Sequence, residues 1–397
     1  MVYNIRTIGN NINKDGLTEL SADRFAIDKV AEAAADAFIV RSQDFHDYQF
    51  PKQLLAVARS GVGFNNLPIE RCASEGIVVF NTPGANANAV KELVLGTMLL
   101  ANRNYRAAGD WLESLSGNDS EIDVAAEKGK KNFAGTEIFG KTLGVIGMGN
   151  IGSRVANDAQ RLGMKVLGYD PYMSMERAWD ISHEVTRVSA LTEIFEQSDY
   201  ITIHTPLTEE TRGIFNRENF AKMKKGVVLI DFARDEVTEK EAVLEFIGNG
   251  TIKAFFTDFG SEKYFNNPQI FVSPHIGGST REAELNCVRM AAMSLDRFLT
   301  TGEVVNSVNF PRVIQPLTAP YRITLINKNV PGVVGRISAV VSDEGINITN
   351  IVNRAQGDFA YTLLDLDEQD EKKVEALVKH FEESDAIVRT RVIKNNG

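Results

Sequence analysis

Three residues have the types and positions to move a proton, hold an anion and tune the acid. His275 lies in Pro274-His275-Ile276-Gly277-Gly278-Ser279-Thr280, a rigid entry followed by a glycine-rich loop at the end of an apolar run. Imidazole titrates near working pH, so it can take up an alcohol proton and give it back. Arg234 closes Leu229-Ile230-Asp231-Phe232-Ala233-Arg234, also at a strand end. Its guanidinium stays charged and can grip a carboxylate with two hydrogen bonds; the alternative is a surface salt bridge with Asp235 or Glu236. Glu262 follows Asp258 by four positions. It could hydrogen-bond the imidazole and raise its pKa, or be a solvated loop glutamate. Of the other histidines, His46 and His183 read as surface residues and His380 falls near the chain end. His204, in His204-Thr205-Pro206-Leu207, reads as a packing residue at a strand end, with Thr205 and Pro206 lining a cofactor.

Such residues need a sheet that holds their loops along one edge. Gly144-Val145-Ile146-Gly147-Met148-Gly149-Asn150-Ile151-Gly152 reads as a strand, a glycine turn and a helix start. Gly147 permits the tight turn, Gly149 lets backbone approach a pyrophosphate, and Gly152 lets the helix pack on the strand. The helix N-terminus then points its amides at the phosphates. Asp170, 18 residues after Gly152, ends the next apolar run, where it can bind a ribose 2′-hydroxyl and repel a 2′-phosphate. That choice favours NAD over NADP.

The rest of the chain fits this frame. Strands are expected at 143–147, 165–169, 200–204, 227–231, 254–257 and 270–273, a doubly wound dinucleotide-binding domain. Before it, strands at 5–8, 37–40, 54–58 and 77–80 alternate with helices at 21–35, 66–75 and 87–103. Residues 106–137 read as a polar surface excursion, and 302–320, with Pro311, Pro316 and Pro320, as a linker. Beyond it a βαββαβ order predicts a ferredoxin-like module. Net charge of −10 argues against nucleic acid as a general partner,. No apolar run is long enough to span a membrane, and the N-terminus lacks the apolar core of a signal peptide. Cys72 and Cys287 are read as buried small hydrophobes in a reducing cytoplasm. No metal site is expected.

These motifs, with Ala58-Arg59-Ser60-Gly61-Val62-Gly63-Phe64-Asn65-Asn66, resemble the D-2-hydroxyacid dehydrogenases. Asn329-Val330-Pro331-Gly332-Val333 and Gly345-Ile346-Asn347-Ile348 resemble an ACT domain, as in the short form of that family whose ACT tail follows directly. The resemblance implies an NAD-binding domain (102–284) inserted in a flavodoxin-like substrate domain (1–101 and 285–311), then an ACT domain (318–397). It assigns Arg234, Glu262 and His275 as the catalytic trio. The family's glutamate falls five residues after the aspartate matched by Asp258 and precedes proline. Here Lys263 holds that place, and Glu262 is read as filling the role from a loop one residue shorter.

The resemblance also places Asn150, Ile151, Thr211 and Phe232 against the cofactor, with Ala233, Asp258, Gly277 and Gly278. It puts the substrate carboxylate on backbone amides around Ser60, Gly61 and Val62. Arg41, Ser42 and Arg59 match positions lining the substrate cleft, whereas Lys128, Lys130 and Lys131 read as a solvated loop. The implied substrate is 3-phosphoglycerate or a related 2-hydroxy acid, handled by a homo-oligomer. In the ACT module Asn327 stands where serine-binding forms have histidine; Asn327, Asn329 and Asn347 are the candidate contacts for an amino-acid effector such as L-serine. Two alternatives are a dehydrogenase of lactate, glycerate or 2-hydroxyglutarate, and a non-catalytic NAD or amino-acid sensor.

Overall fold

The computed structural model describes residues 2–9 and 12–395, which divide into two compact units, 1–85 with 284–397 and 86–283. The first unit opens with five parallel strands, β1 (Tyr3–Ile8), β2 (Phe25–Ile27), β3 (Ala37–Val40), β4 (Ala56–Arg59) and β5 (Val78–Phe80), in the order β2-β1-β3-β4-β5. Helix α1 (Ile69–Ser74) joins β4 to β5. Ala37, Phe38, Ile39 and Val40 are all fully buried. Parallel strands covered on both faces read as continuous apolar runs rather than alternating ones.

The helix expected at 21–35 is instead strand β2 and a 3₁₀ turn at Glu32–Ala34. Phe25 is buried against Leu17, Leu20 and Ile5, and that packing overrides the alanine-rich helix propensity,.

The second unit begins with α2 (Ala87–Leu100), α3 (Tyr105–Glu113) and α4 (Asp119–Gly129). The polar stretch 106–137 is therefore largely helical. Asn118 and Glu121 cap the start of α4 reciprocally, at 3.1 and 2.9 Å,. Helix α2 buries Val90, Val94 and Met98 among Leu143, Val145, Val155 and Ala159, so it belongs with this unit. Strand β6 (Thr142–Ile146) leads to α5 (Gly152–Arg161), β7 (Lys165–Tyr169), α6 (Met175–Ala178), β8 (Thr186–Arg187), α7 (Leu191–Gln197) and β9 (Tyr200–Ile203). Next come α8 (Arg217–Phe220), β10 (Val227–Asp231), α9 (Lys240–Gly248), β11 (Ile252–Thr257) and β12 (Ile270–Val272). The sheet is parallel, ordered β12-β11-β10-β9-β6-β7-β8. Its order reverses between β6 and β9, the switch point where ligands bind outside the strand ends. The two-residue β8 is a seventh strand, too short to leave a pattern in sequence.

The first unit resumes on α10 (Arg281–Thr301). Residues 302–320, expected as a linker, are an ordered strap: Val304 pairs with Val313, and both are buried with Phe310. The terminal module comprises β13 (Tyr321–Lys328), α11 (Val333–Asp343), β14 (Asn347–Gln356), β15 (Phe359–Asp367), α12 (Glu371–Glu382) and β16 (Ile387–Lys394). Its antiparallel sheet runs β14-β15-β13-β16.

One face of that sheet packs on α11 and α12 through Ile323, Leu325, Leu364 and Leu366. The other packs on the first unit's core through Ile326, Tyr361 and Leu363. Arg322 and Asp365 form a fully buried ion pair there, and Arg322 also donates to the Thr301 carbonyl at 2.7 Å. Arg391 donates to the Phe298 carbonyl at 2.6 Å and Tyr361 to that of Gly302 at 2.7 Å, so the module satisfies carbonyls at the end of α10,. Among the described residues, no helix is long and apolar enough to cross a membrane. Both cysteines are unpaired and buried, and burial pushes the Cys72 thiol up to about 12.

Candidate active site

In the second unit the turn after β6 is built by contacts that exclude side chains. Gly147 has φ +86°, and a Cβ there would meet the His204 carbonyl at 2.8 Å. A Cβ on Gly152 would lie 1.9 Å from the Gly147 carbonyl oxygen, so only glycine lets α5 start so close to the strand. Gly149 differs: nothing lies within 4 Å of its missing Cβ, leaving open space on the ligand side. Asn150 accepts a hydrogen bond from Arg177 at 2.8 Å, and Ile151 is the N-cap of α5. Asp170 is held by the amides of Met148 and Tyr172, both at 2.9 Å, at the end of β7.

Along the same edge, after β9, Thr205 keeps a buried hydroxyl with no partner among the described residues. Thr211 folds back to donate to the Pro206 carbonyl at 2.7 Å. A glycine cradle open at Gly149, an anchored acid and an orphaned hydroxyl are the features a dinucleotide needs. His204, between them, bonds Thr202 at 3.0 Å, and burial lowers its pKa to about 3. It stays neutral at working pH, as a packing residue should.

Arg234 follows β10 and is exposed. Its guanidinium donates to the Ala233 carbonyl at 2.6 Å and makes no ion pair with Asp235 or Glu236 among the described residues. Phe232, half-buried, packs on the core beneath. Asp231, which in sequence shows only as the end of a strand, anchors this turn. One carboxylate oxygen accepts from the Ala233 amide at 3.0 Å and the other from the Thr238 hydroxyl at 2.8 Å. Burial pushes its pKa up to about 7.

His275 is exposed at the end of the next loop, with φ +54°. A side-chain-bearing residue in the left-handed region is strained and persists only where its surroundings hold it. Its amide donates to the carbonyls of Asp258 (3.1 Å) and Ser273 (3.0 Å). Asp258, buried after β11, binds the Ser273 hydroxyl with one oxygen and the Gly277 amide, at 2.8 Å, with the other. Asp258 thus buckles both ends of the histidine loop. Phe259 sets its ring edge-on to the imidazole, 5.3 Å between centres. Gly278 lies against Asn86, whose amide nitrogen would be 2.4 Å from an added Cβ. Glu262 is exposed in the 3₁₀ turn Glu262–Tyr264 and shares no hydrogen bond or ion pair with His275. The neighbouring Lys263 pairs with Glu241.

In the first unit, Arg41 and Arg59 sit at the ends of adjacent strands, where Val40 of β3 pairs with Arg59 of β4. Arg41 forms an ion pair with Glu284 at 2.6 Å. Ser42 is exposed and Ser60 buried, its amide bonded to the Val40 carbonyl at 2.8 Å. Gly61 and Val62 continue that loop, and Asn81 donates to the Val62 carbonyl at 2.7 Å. In the terminal module Asn327 is buried, accepting from Thr362 at 3.0 Å and donating to the Lys328 carbonyl at 2.9 Å. Both polar atoms of that amide are engaged within the protein. Asn329 and Asn347 are exposed.

A model for the D-isomer specific 2-hydroxyacid dehydrogenase NAD-binding domain matches residues 95–277. A D-3-phosphoglycerate dehydrogenase of Methanocaldococcus jannaschii is 33% identical over 77% of this chain and 59% of its own length. A hydroxypyruvate reductase of Thermotoga maritima is 38% identical over 59% of this chain and 74% of its own. The NAD+-bound 3-phosphoglycerate dehydrogenase of Entamoeba histolytica aligns with a TM-score of 0.57 at 27% identity, over 78% of this chain and 99% of that one. The chain spans less than three-fifths of the length of the bacterial and archaeal phosphoglycerate dehydrogenases it matches.

Proposed function

The chain belongs to the D-isomer specific 2-hydroxyacid dehydrogenase family, and on that premise we propose that it oxidises D-3-phosphoglycerate to 3-phosphohydroxypyruvate with NAD, the opening step of L-serine synthesis. The observation that carries this reading is His275, held in a strained backbone by Asp258, while Arg234, without an ion-pair partner among the described residues, stands on the same unit's strand edge. NAD, when bound, supplies the hydride acceptor. The His275 imidazole takes the proton of the 2-hydroxyl. Arg234 holds the substrate carboxylate and the oxygen that becomes the carbonyl. Glu262 stabilises the resulting imidazolium; catalytic hydrogen bonds commonly tighten only once substrate is bound. Gly147, Gly149 and the start of α5 hold the pyrophosphate, and Asp170 the adenosine ribose. The substrate carboxylate rests on the backbone at Ser60–Val62, with Arg41, Ser42 and Arg59 taking the phosphate.

We place these roles on an NAD-binding domain and a substrate domain, with the terminal module as a regulatory ACT domain. An amino acid such as L-serine would bind at Asn329 and Asn347. Leu99, Leu100, Tyr105 and Leu112 are exposed apolar side chains on α2 and α3, surface that a second copy of the chain would cover in a cytoplasmic homo-oligomer. A second reading, reduction of an unphosphorylated oxo acid such as hydroxypyruvate, draws on Arg41 already being paired with Glu284. One assay tests both. The full chain is mixed with NADH and, separately, phosphohydroxypyruvate, hydroxypyruvate, pyruvate, glyoxylate or 2-oxoglutarate. Fastest oxidation with phosphohydroxypyruvate is expected. Preference for an unphosphorylated acid refutes the substrate, and no oxidation with any of them refutes the enzyme.

A further inference from the structure

The cation pair at the ends of β3 and β4 is unevenly neutralised. Arg59 is half-buried, and burial lowers its pKa, with Cys287 opposing the shift and nearby Arg41 adding to it. Its Nε donates to the Asn66 side chain at 3.1 Å, and no carboxylate pairs with it among the described residues. Its guanidinium lies over Gly61, which has no Cβ to obstruct it. Asn66 also donates to the Arg41 carbonyl at 3.1 Å, tying the two arginines into one framework. Arg41 alone has a carboxylate partner, Glu284 on the first turn of α10, at 2.6 Å. One turn on, Cys287 is buried, and burial raises its thiol pKa.

We propose that Glu284 is a specificity-determining residue: its carboxylate holds Arg41 in the free protein and must be displaced by an anionic substrate group. This rests on Arg41 and Arg59 being the substrate's anion site, as assigned above. The pair is partly exposed, with side chains 28% and 39% accessible, so it can exchange partners rather than lock,. A phosphate dianion brings more charge and more acceptor oxygens than the Glu284 carboxylate, and it faces two guanidiniums. A substrate without that group leaves the Arg41–Glu284 pair closed. Glu284 thereby sets how strongly the site distinguishes phosphorylated from unphosphorylated acids.

The test uses the full chain, wild type and Glu284→Gln, which keeps the side chain's shape and removes its charge. Inorganic phosphate binding is followed by calorimetry, and KM is measured with phosphohydroxypyruvate and with hydroxypyruvate. Glu284→Gln should tighten phosphate and lower the KM for phosphohydroxypyruvate by about two- to fivefold, the worth of a partly exposed ion pair. The KM for hydroxypyruvate and both kcat values should stay unchanged. Arg41→Ala should weaken phosphate about tenfold or more. Unaltered phosphate affinity in Glu284→Gln, or an equal change in both KM values, overturns the proposal. A rise in the phosphohydroxypyruvate KM overturns it too, because Glu284 would then be orienting Arg41. The phosphate titration needs no turnover, so an inactive protein would refute the proposed reaction and leave this test standing.

Discussion

Gly149 and Gly152 lie three residues apart in one turn, yet adding a methyl group to each should do different things. At Gly152 the new Cβ would sit 1.9 Å from the Gly147 carbonyl oxygen, a backbone atom that cannot rotate away. An ordinary C···O contact is about 3.3 Å, so α5 must withdraw by about 1.4 Å. Forcing an extra group into a close-packed junction costs about 1–3 kcal/mol. In a unit of this size that lowers the melting temperature by about 2–12 °C. The displaced helix start also carries its amides away from the pyrophosphate, and 1.4 kcal/mol of lost binding is about tenfold in Kd.

At Gly149 nothing lies within 4 Å, so Gly149→Ala should melt with the wild type. Its methyl group points into the space left for the ligand, and only NADH affinity should fall. Thermal melting without cofactor, paired with NADH fluorescence titration, separates the two. Wild-type melting and wild-type NADH affinity in Gly152→Ala would refute the close-contact reasoning. Equal destabilisation by both substitutions would refute the assignment of the open side to the cofactor.

Other expectations rest on other contacts. His275→Ala should abolish turnover while NADH still binds; turnover near wild type would remove its acid–base role. Asp231 has its pKa raised from 3.8 to about 7 in the folded protein, so the native state keeps a proton the unfolded chain has released. The stability this lends is fully present below the unfolded pKa and is lost as pH rises through 7, on the order of 4 kcal/mol in all. Melting curves at pH 5 and pH 8 should therefore diverge between wild type and Asp231→Asn, with the variant relatively more stable at pH 8; parallel pH dependence would contradict this. Asp365→Ala leaves the Arg322 guanidinium buried without its counter-ion. A loss of about 3–5 kcal/mol is expected in urea unfolding, and a loss below about 1 kcal/mol would show the pair to be solvated.

Much of this protein could be read along the chain because its signals are local. The strand, glycine turn and acid from 144 to 170 follow from short-range geometry. The βαββαβ order of the terminal module follows from hydrophobic period and turn residues. The failures share a cause. The alanine-rich stretch before Ala35 has helix propensity, but Phe25 is drawn into a core assembled from β1 and α10. Helix α2 looked like the close of the first domain until Val90, Val94 and Met98 were seen packed on β6 and α5. The prolines of 302–320 read as a linker, yet Phe310 and Val313 are buried.

The site divides the same way. Residue type and strand-end position pointed to His275 and Arg234. Nothing in the spacing announced that Asp258 would buckle the histidine loop from both sides, that Asp231 would anchor the arginine turn, or that Asn327 would vanish into the sheet.

Glu284 shows where the boundary lies. It is 243 residues from Arg41 and belongs to no motif, and only the packing of α10 beside the end of β3 brings the two within 2.6 Å. By itself the sequence determined the fold class, the glycine cradle and the residue types at the strand ends, because backbone sterics and hydrophobic period act over a few residues. Which charges meet, which strained residue is held and which polar groups are spent were decided by the tertiary structure, because Coulomb and hydrogen-bond energies depend on distances the chain acquires only on folding.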